Sequence, residues 1–159
     1  MIVNKEGCSM SLYELLVFIH IFSAILGMGP GFVMIIAVKK VNNMTELRHA
    51  YRIRNRLHLF TMVGGTLLLI TGFWMGFLNT DLFTQGWYLL SLILFMGALA
   101  FGPLILSPRS KPIKRLLKED TGEDIPEIYH ILSNKLFFFE RIENIIFLIV
   151  IALMILKPS

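Results

Sequence analysis

Four long apolar runs alternate with two basic segments along this chain. The runs are 12–38, 57–78, 87–106 and 136–156. A helix crossing a hydrocarbon core about 30 Å thick needs about 20 predominantly apolar residues, and each run meets that length. The pattern predicts an all-α, polytopic membrane protein, a four-transmembrane-helix bundle forming a single membrane domain over 1–159. No room for a soluble domain is expected between or around the spans.

Twelve of the fifteen Lys and Arg residues fall in 39–56 and 107–135; only Lys5, Arg141 and Lys157 lie elsewhere. Lys and Arg in short connections accumulate on the cytoplasmic side. Both basic segments are therefore expected to be cytoplasmic loops, with the N-terminus, the C-terminus and the 79–86 connection outside. That outer connection is short enough to make the second and third spans antiparallel neighbours. Within the second basic segment, Lys111–Lys118 is expected to form a short helix after Pro112. Residues 120–124 read as a turn, and Pro126 opens a second short helix leading to the last span. The acids of 120–124 lack the alternation of a calcium loop, so no metal is expected there.

Composition strengthens the membrane reading. The chain is 55% hydrophobic and 16% charged with mean hydropathy +0.69, against about 25% charged in soluble domains. The net charge of +4 and pI near 9.4 raise the possibility of nucleic acid. The placement of the cations beside spans excludes it and points to anionic lipid instead. Cys8 has no intrachain partner. The first run is too long for a cleavable signal and its positive charge follows it, so it is read as a retained span. Met1 and Met10 both stand open as the natural start.

Two Gly-Pro pairs interrupt spans: Gly29-Pro30 and Gly102-Pro103. A shift of 73 residues superposes them together with Phe22/Phe95 and Leu26/Leu99, a weak parallel repeat. Proline removes one backbone donor, and in lipid the freed carbonyl must find another partner. These pairs are expected helix kinks. Small residues form stripes at Ser23, Gly27 and Gly31, at Thr61, Gly65, Gly72 and Gly76, and at Ser91, Ala98 and Gly102, which let helices approach closely.

Ionisable residues inside spans are functional candidates. His20 lies near the middle of the first run, on the Ser23/Gly27 face. A neutral imidazole there can ligate haem iron, relay a proton or bond a neighbouring helix. No second histidine reaches its depth, since His49, His58 and His130 fall in or beside the basic segments. The last span enters carrying Glu140, Arg141, Glu143 and Asn144. Together with His20 these form the expected intramembrane polar cluster, and a Glu143–His20 contact is the sharpest geometric expectation. No nucleophile–base pair, phosphate loop or zinc signature appears, which leans away from an enzyme.

Leu12-Tyr13-Glu14-Leu15-Leu16-Val17-Phe18-Ile19-His20-Ile21-Phe22-Ser23-Ala24, with Gly64-Gly65-Thr66-Leu67-Leu68-Leu69-Ile70-Thr71-Gly72 and Phe101-Gly102-Pro103, resembles a bacterial family of integral membrane proteins, the domain of unknown function numbered 2269. The resemblance covers about 12–156 and implies four spans in a bacterial plasma membrane. More distantly, His20 with Ser23, Ala24 and Gly27 is similar to the first span of the membrane protoporphyrinogen oxidase and copper-resistance membrane domain families. That likeness implies haem b or copper chemistry at His20, although Leu26 stands where those families carry an aromatic residue. Three functions are expected in order: a non-enzymatic scaffold, accessory subunit or assembly partner; a haem- or metal-binding redox protein using His20; and a small proton-coupled carrier acting as a dimer. A homodimer or larger membrane complex is the expected assembly.

Overall fold

The computed structural model describes residues 11–39 and 41–158; the expectations placed on Lys5, Cys8 and Met10 fall outside them. The described residues are all-helical, with no strand among them. The helices are α1 (Leu12–Lys39), α2 (Met44–Leu78), α3 (Gly86–Phe101), α4 (Ser107–Glu119) and α5 (Glu127–Leu156). A short 3₁₀ turn (Thr80–Thr84) joins α2 to α3, and a π-helical turn (Gly102–Leu106) joins α3 to α4 without a break.

Local chemistry sets the helix starts. At α1 the Ser11 hydroxyl accepts from the Glu14 amide, and the Glu14 carboxylate accepts from the Ser11 amide, a reciprocal capping box. At α2 the Asn43 side chain accepts from the Glu46 amide while Glu46 accepts from the Asn42 amide. Pro126, already at the extended φ and ψ a cap needs, precedes α5. Lys157 ends α5 in the left-handed conformation, φ 44°.

Three helical stretches are long and apolar enough to cross a membrane: 12–39, 44–78 and 86–119. Helix α5, at 30 residues, is long enough. However, every 18-residue stretch of it contains Glu140, Arg141 and Glu143.

The basic segments are largely helical, with 120–126 the loop between α4 and α5. Residues 44–56 are the first part of α2, which at 35 residues is about 52 Å long and outreaches the hydrocarbon by about 20 Å. Helix α4 continues α3 straight through Pro112, and no separate short helix precedes the last run, because α5 is one rod from Glu127. Sequence patterning marks where apolarity ends, whereas a helix ends only where capping or a turn stops it.

These extensions build a core of their own. Met44, Leu47, Ala50 and Tyr51 of α2, Ile113 of α4, and Tyr129, Leu136 and Phe137 of α5 bury one another at the basic end, together with Val38 of α1. The Met44 amide donates to the Glu123 carbonyl, and Arg48 donates to the carbonyls of Leu117 and Asp120, tying α2 to the end of α4. A packed helical layer therefore occupies segments expected to be loops. A second core, of Met28, Leu68, Phe95, Ala98, Phe147 and Val150, lies inside the bundle.

Helices α1 and α2 pack most closely. A Cβ on Gly27 would stand 2.8 Å from the Gly65 amide nitrogen, and one on Gly64 would strike the Gly27 backbone. Only glycine admits this approach. Helix α5 packs on α3 and, less extensively, on α1. The two Gly-Pro pairs are handled differently: Pro30 sits inside a continuous α-helix, while Pro103 lies in the π turn, where the Ser107 amide reaches back to the Gly102 carbonyl. The superposed prolines thus do not share a local geometry.

Gly64→Val is expected to weaken the fold by about 1–3 kcal/mol, the usual cost of overpacking. Gly97→Ala, with open space around its Cβ position, is expected to leave stability unchanged or slightly raised. Unfolding in mixed detergent micelles distinguishes them; equal midpoints would remove the α1–α2 approach as a determinant.

Candidate functional site

The polar residues expected to form one intramembrane cluster separate into two sites. At the basic end, Arg54 of α2 pairs with Glu140 of α5, both 8% exposed. The guanidinium also lies 5.5 Å from the Tyr51 ring centroid and 5.9 Å from that of Phe137. Tyr51 packs edge-on against Tyr129, ring centroids 6.3 Å apart. The backbones of α2 and α5 do not pack against each other, so these long side chains span the gap between them. Four buried polar atoms here have no protein partner: Tyr51 Oη, Tyr129 Oη, Arg54 Nη1 and Glu140 Oε2.

Arg54 was legible only as one more cation of a basic segment. The signal that distinguishes it is spacing: Tyr51 and Arg54 stand three apart, on one helical face. Asn144, one turn beyond Glu140, donates from Nδ2 to the Gly31 carbonyl at 3.2 Å, next to Pro30. Arg141 is exposed on the outer face of α5, and Glu143 is part-buried, with no side-chain hydrogen bond among the described residues.

His20 belongs elsewhere. The Asn144–Gly31 contact sets the register of α1 against α5, and His20 lies eleven residues further along α1, about 16 Å away. The Glu143–His20 contact therefore does not form. Depths counted inward from the ends of the apolar runs placed the two at one level. The helical extensions at the basic end shift that count, and α5 instead presents Val150, Ile151, Met154 and Ile155 around His20.

His20 Nδ1 is 2.9 Å from Thr71 Oγ1. The Thr71 hydroxyl has two carbonyls of its own helix within donating reach, Leu67 at 2.8 Å and Leu68 at 3.2 Å. With its proton kept within α2, Thr71 accepts from His20, which assigns the imidazole proton to Nδ1 and leaves Nε2 as the acceptor. His20 Cε1 lies against Gly72, 3.4 Å from where a Cβ would stand. The same ring lines a cavity of about 520 Å³ bounded by α1, α2, α3 and α5. Its other polar groups, Tyr88 and Ser91, donate to the carbonyls of Gly72 and Trp87. Thr71 and Tyr88 could not have been singled out from the sequence, where each is one polar residue in an apolar run.

No group of three His, Cys, Asp or Glu side chains converges on a common point among the described residues. His58 lies 13 residues from Thr71, about 20 Å along α2, and His49 lies further back on the same helix, so neither histidine of α2 reaches His20.

Long apolar helices, a glycine-mediated helix contact and a bundle interior closed by side-chain hydrogen bonds define an integral membrane protein. The chain belongs to the DUF2269 family of predicted integral membrane proteins, whose match covers residues 14–158. No curated protein and no solved structure matches it.

Arg54→Met leaves Glu140 buried and unpaired, and is expected to cost about 3–5 kcal/mol. Combining it with Glu140→Leu is expected to recover most of that loss. Unfolding midpoints of the two variants measure the difference; a double variant no more stable than the single would show that the pair does not bridge the helices.

Proposed function

We propose that this chain is a four-span protein of the bacterial plasma membrane, both termini outside, acting as a non-enzymatic scaffold, accessory subunit or assembly partner. One observation carries the accessory role. Four polar contacts inside the bundle join one helix to another: His20 to Thr71, Asn144 to Gly31, Tyr88 to Gly72 and Arg54 to Glu140. They stabilise a shape rather than converging on a reacting centre.

The fourth span is α5. Its charges are compatible with entry because Glu140 is paired, Arg141 lies on the outer face with a stem long enough to snorkel, and Asn144 is bonded. Beyond them 145–156 is wholly apolar and supplies Phe147 and Val150 to the bundle core. Orientation follows from the twelve cations that the sequence carries in its two basic segments. There α4 buries Ile113 and exposes Lys111, Lys114, Arg115 and Lys118, a face suited to anionic lipid headgroups.

The readings that use His20 for haem or for proton-coupled transport have less support. The cavity beside His20 carries no Lys or Arg, so haem propionates would lack a counter-charge. Glu143 and His20 are too far apart to pass a proton directly.

In a Cys8→Ser background, Lys157→Cys is expected to react with a membrane-impermeant maleimide in intact cells, and Lys118→Cys only after permeabilisation. The reverse pattern would overturn the orientation. Mild-detergent purification is expected to retain a stoichiometric partner or second copy; an isolated monomer that turns over a substrate would sink the accessory role.

A further inference from the structure

The wall of the His20 cavity has a single hydrogen-bonding character. His20 Nε2 is an acceptor because Thr71 holds the ring proton on Nδ1. Tyr88 donates its hydroxyl proton to the Gly72 carbonyl and Ser91 its own to the Trp87 carbonyl, and both residues are buried, so neither presents a donor to the cavity. The remaining lining is aliphatic or aromatic, with Met28, Phe95 and Met154 among it and no charged side chain. At about 520 Å³ the cavity falls in the range of small-molecule sites. It lies between α1 and α3, which do not pack against each other.

We propose that this cavity binds a neutral lipid-borne molecule through a hydroxyl group donated to His20 Nε2, a quinol being the class that fits. Three features of the cavity select it. A charged headgroup would be desolvated without a counter-charge. A ligand with acceptors only, such as the corresponding quinone, would set its oxygens against the unprotonated His20 nitrogen. A hydroxyl donor satisfies His20, and an apolar tail satisfies the walls. The proposal goes beyond the accessory role and does not depend on it: a scaffold can hold a lipid, and a lipid site can exist without a protein partner.

The test uses full-length protein in nanodiscs with ¹⁵N-labelled histidine, and decylubiquinol kept reduced as the probe. Decylubiquinone and the quinol dimethyl ether serve as controls. The His20 Nε2 resonance is expected to report an unprotonated nitrogen before addition and to shift on quinol binding. Both controls are expected to bind at least about tenfold more weakly, the factor one hydrogen bond supplies. His20→Phe is expected to abolish the preference for the quinol while retaining the apolar contact. The wild-type comparison stands by itself if that variant fails to fold. Equal binding of quinol, quinone and ether would overturn the proposal, leaving a cavity that takes any apolar chain. So would an Nε2–H tautomer in the free protein, or a haem absorbance band lost in His20→Ala.

Discussion

The ion pair between Arg54 and Glu140 is the constraint on which the arrangement of helices depends. Burying two charges costs several kcal/mol per ion, and their attraction offsets this only in good geometry. A pair of this kind adds little net stability, but it strongly disfavours any register in which either partner is left alone. That matters here because α2 and α5 share no backbone contact. Helix α2 is fixed to α1 by glycine, and α5 is fixed to α3 by apolar packing. The ion pair joins these two halves where the bundle meets the basic-end core, with Tyr51 and Phe137 packed against the guanidinium.

Fixing α5 there determines what lies along the rest of its length. One turn beyond Glu140, Asn144 meets Gly31, and Phe147 and Val150 then fill the bundle core. By the level of His20, α5 offers only apolar side chains. The acids and the histidine are thus held apart by the same register that pairs Glu140. His20 is left with Thr71 as its bonded neighbour, and this assigns its tautomer. A hydroxyl that donates along its own helix can only accept from across the interface. A minor feature of α2 therefore sets the chemistry of a nitrogen on α1.

How much of this could be read from the sequence varies with the kind of feature. Apolar runs announce helices able to cross a membrane because length and composition decide that question locally. The glycine stripes correctly mark faces of close approach, although Gly64, which strikes Gly27 most directly, lies one position off the stripe through Gly65. Basic segments read as loops when charge density is treated as the mark of a helix end. Met44, Leu47, Ala50 and Tyr51 carry the helical spacing that shows otherwise. The polar sites were legible as single residues and not as pairs. His20 and Glu140 stand out in their runs, but Thr71 and Arg54 acquire meaning only across a helix interface, and no periodicity within one helix encodes that.

The two cations of α2 that turn inward show why a count of charges and a list of contacts answer different questions. Arg48 is spent on the carbonyls at the end of α4, and Arg54 on Glu140. Both still count toward orientation, since topogenic preference follows from charge near a span, whichever way the side chain finally points. Yet Arg54 also alters what α5 can be. Taken alone, α5 carries at least three charges in each stretch long enough to cross a bilayer and is the least membrane-like of the long helices. With Glu140 neutralised by a partner from another helix, its charge load falls to one exposed arginine at the outer face and one part-buried acid. Whether such a helix enters the membrane is then settled by its neighbours as much as by its own residues.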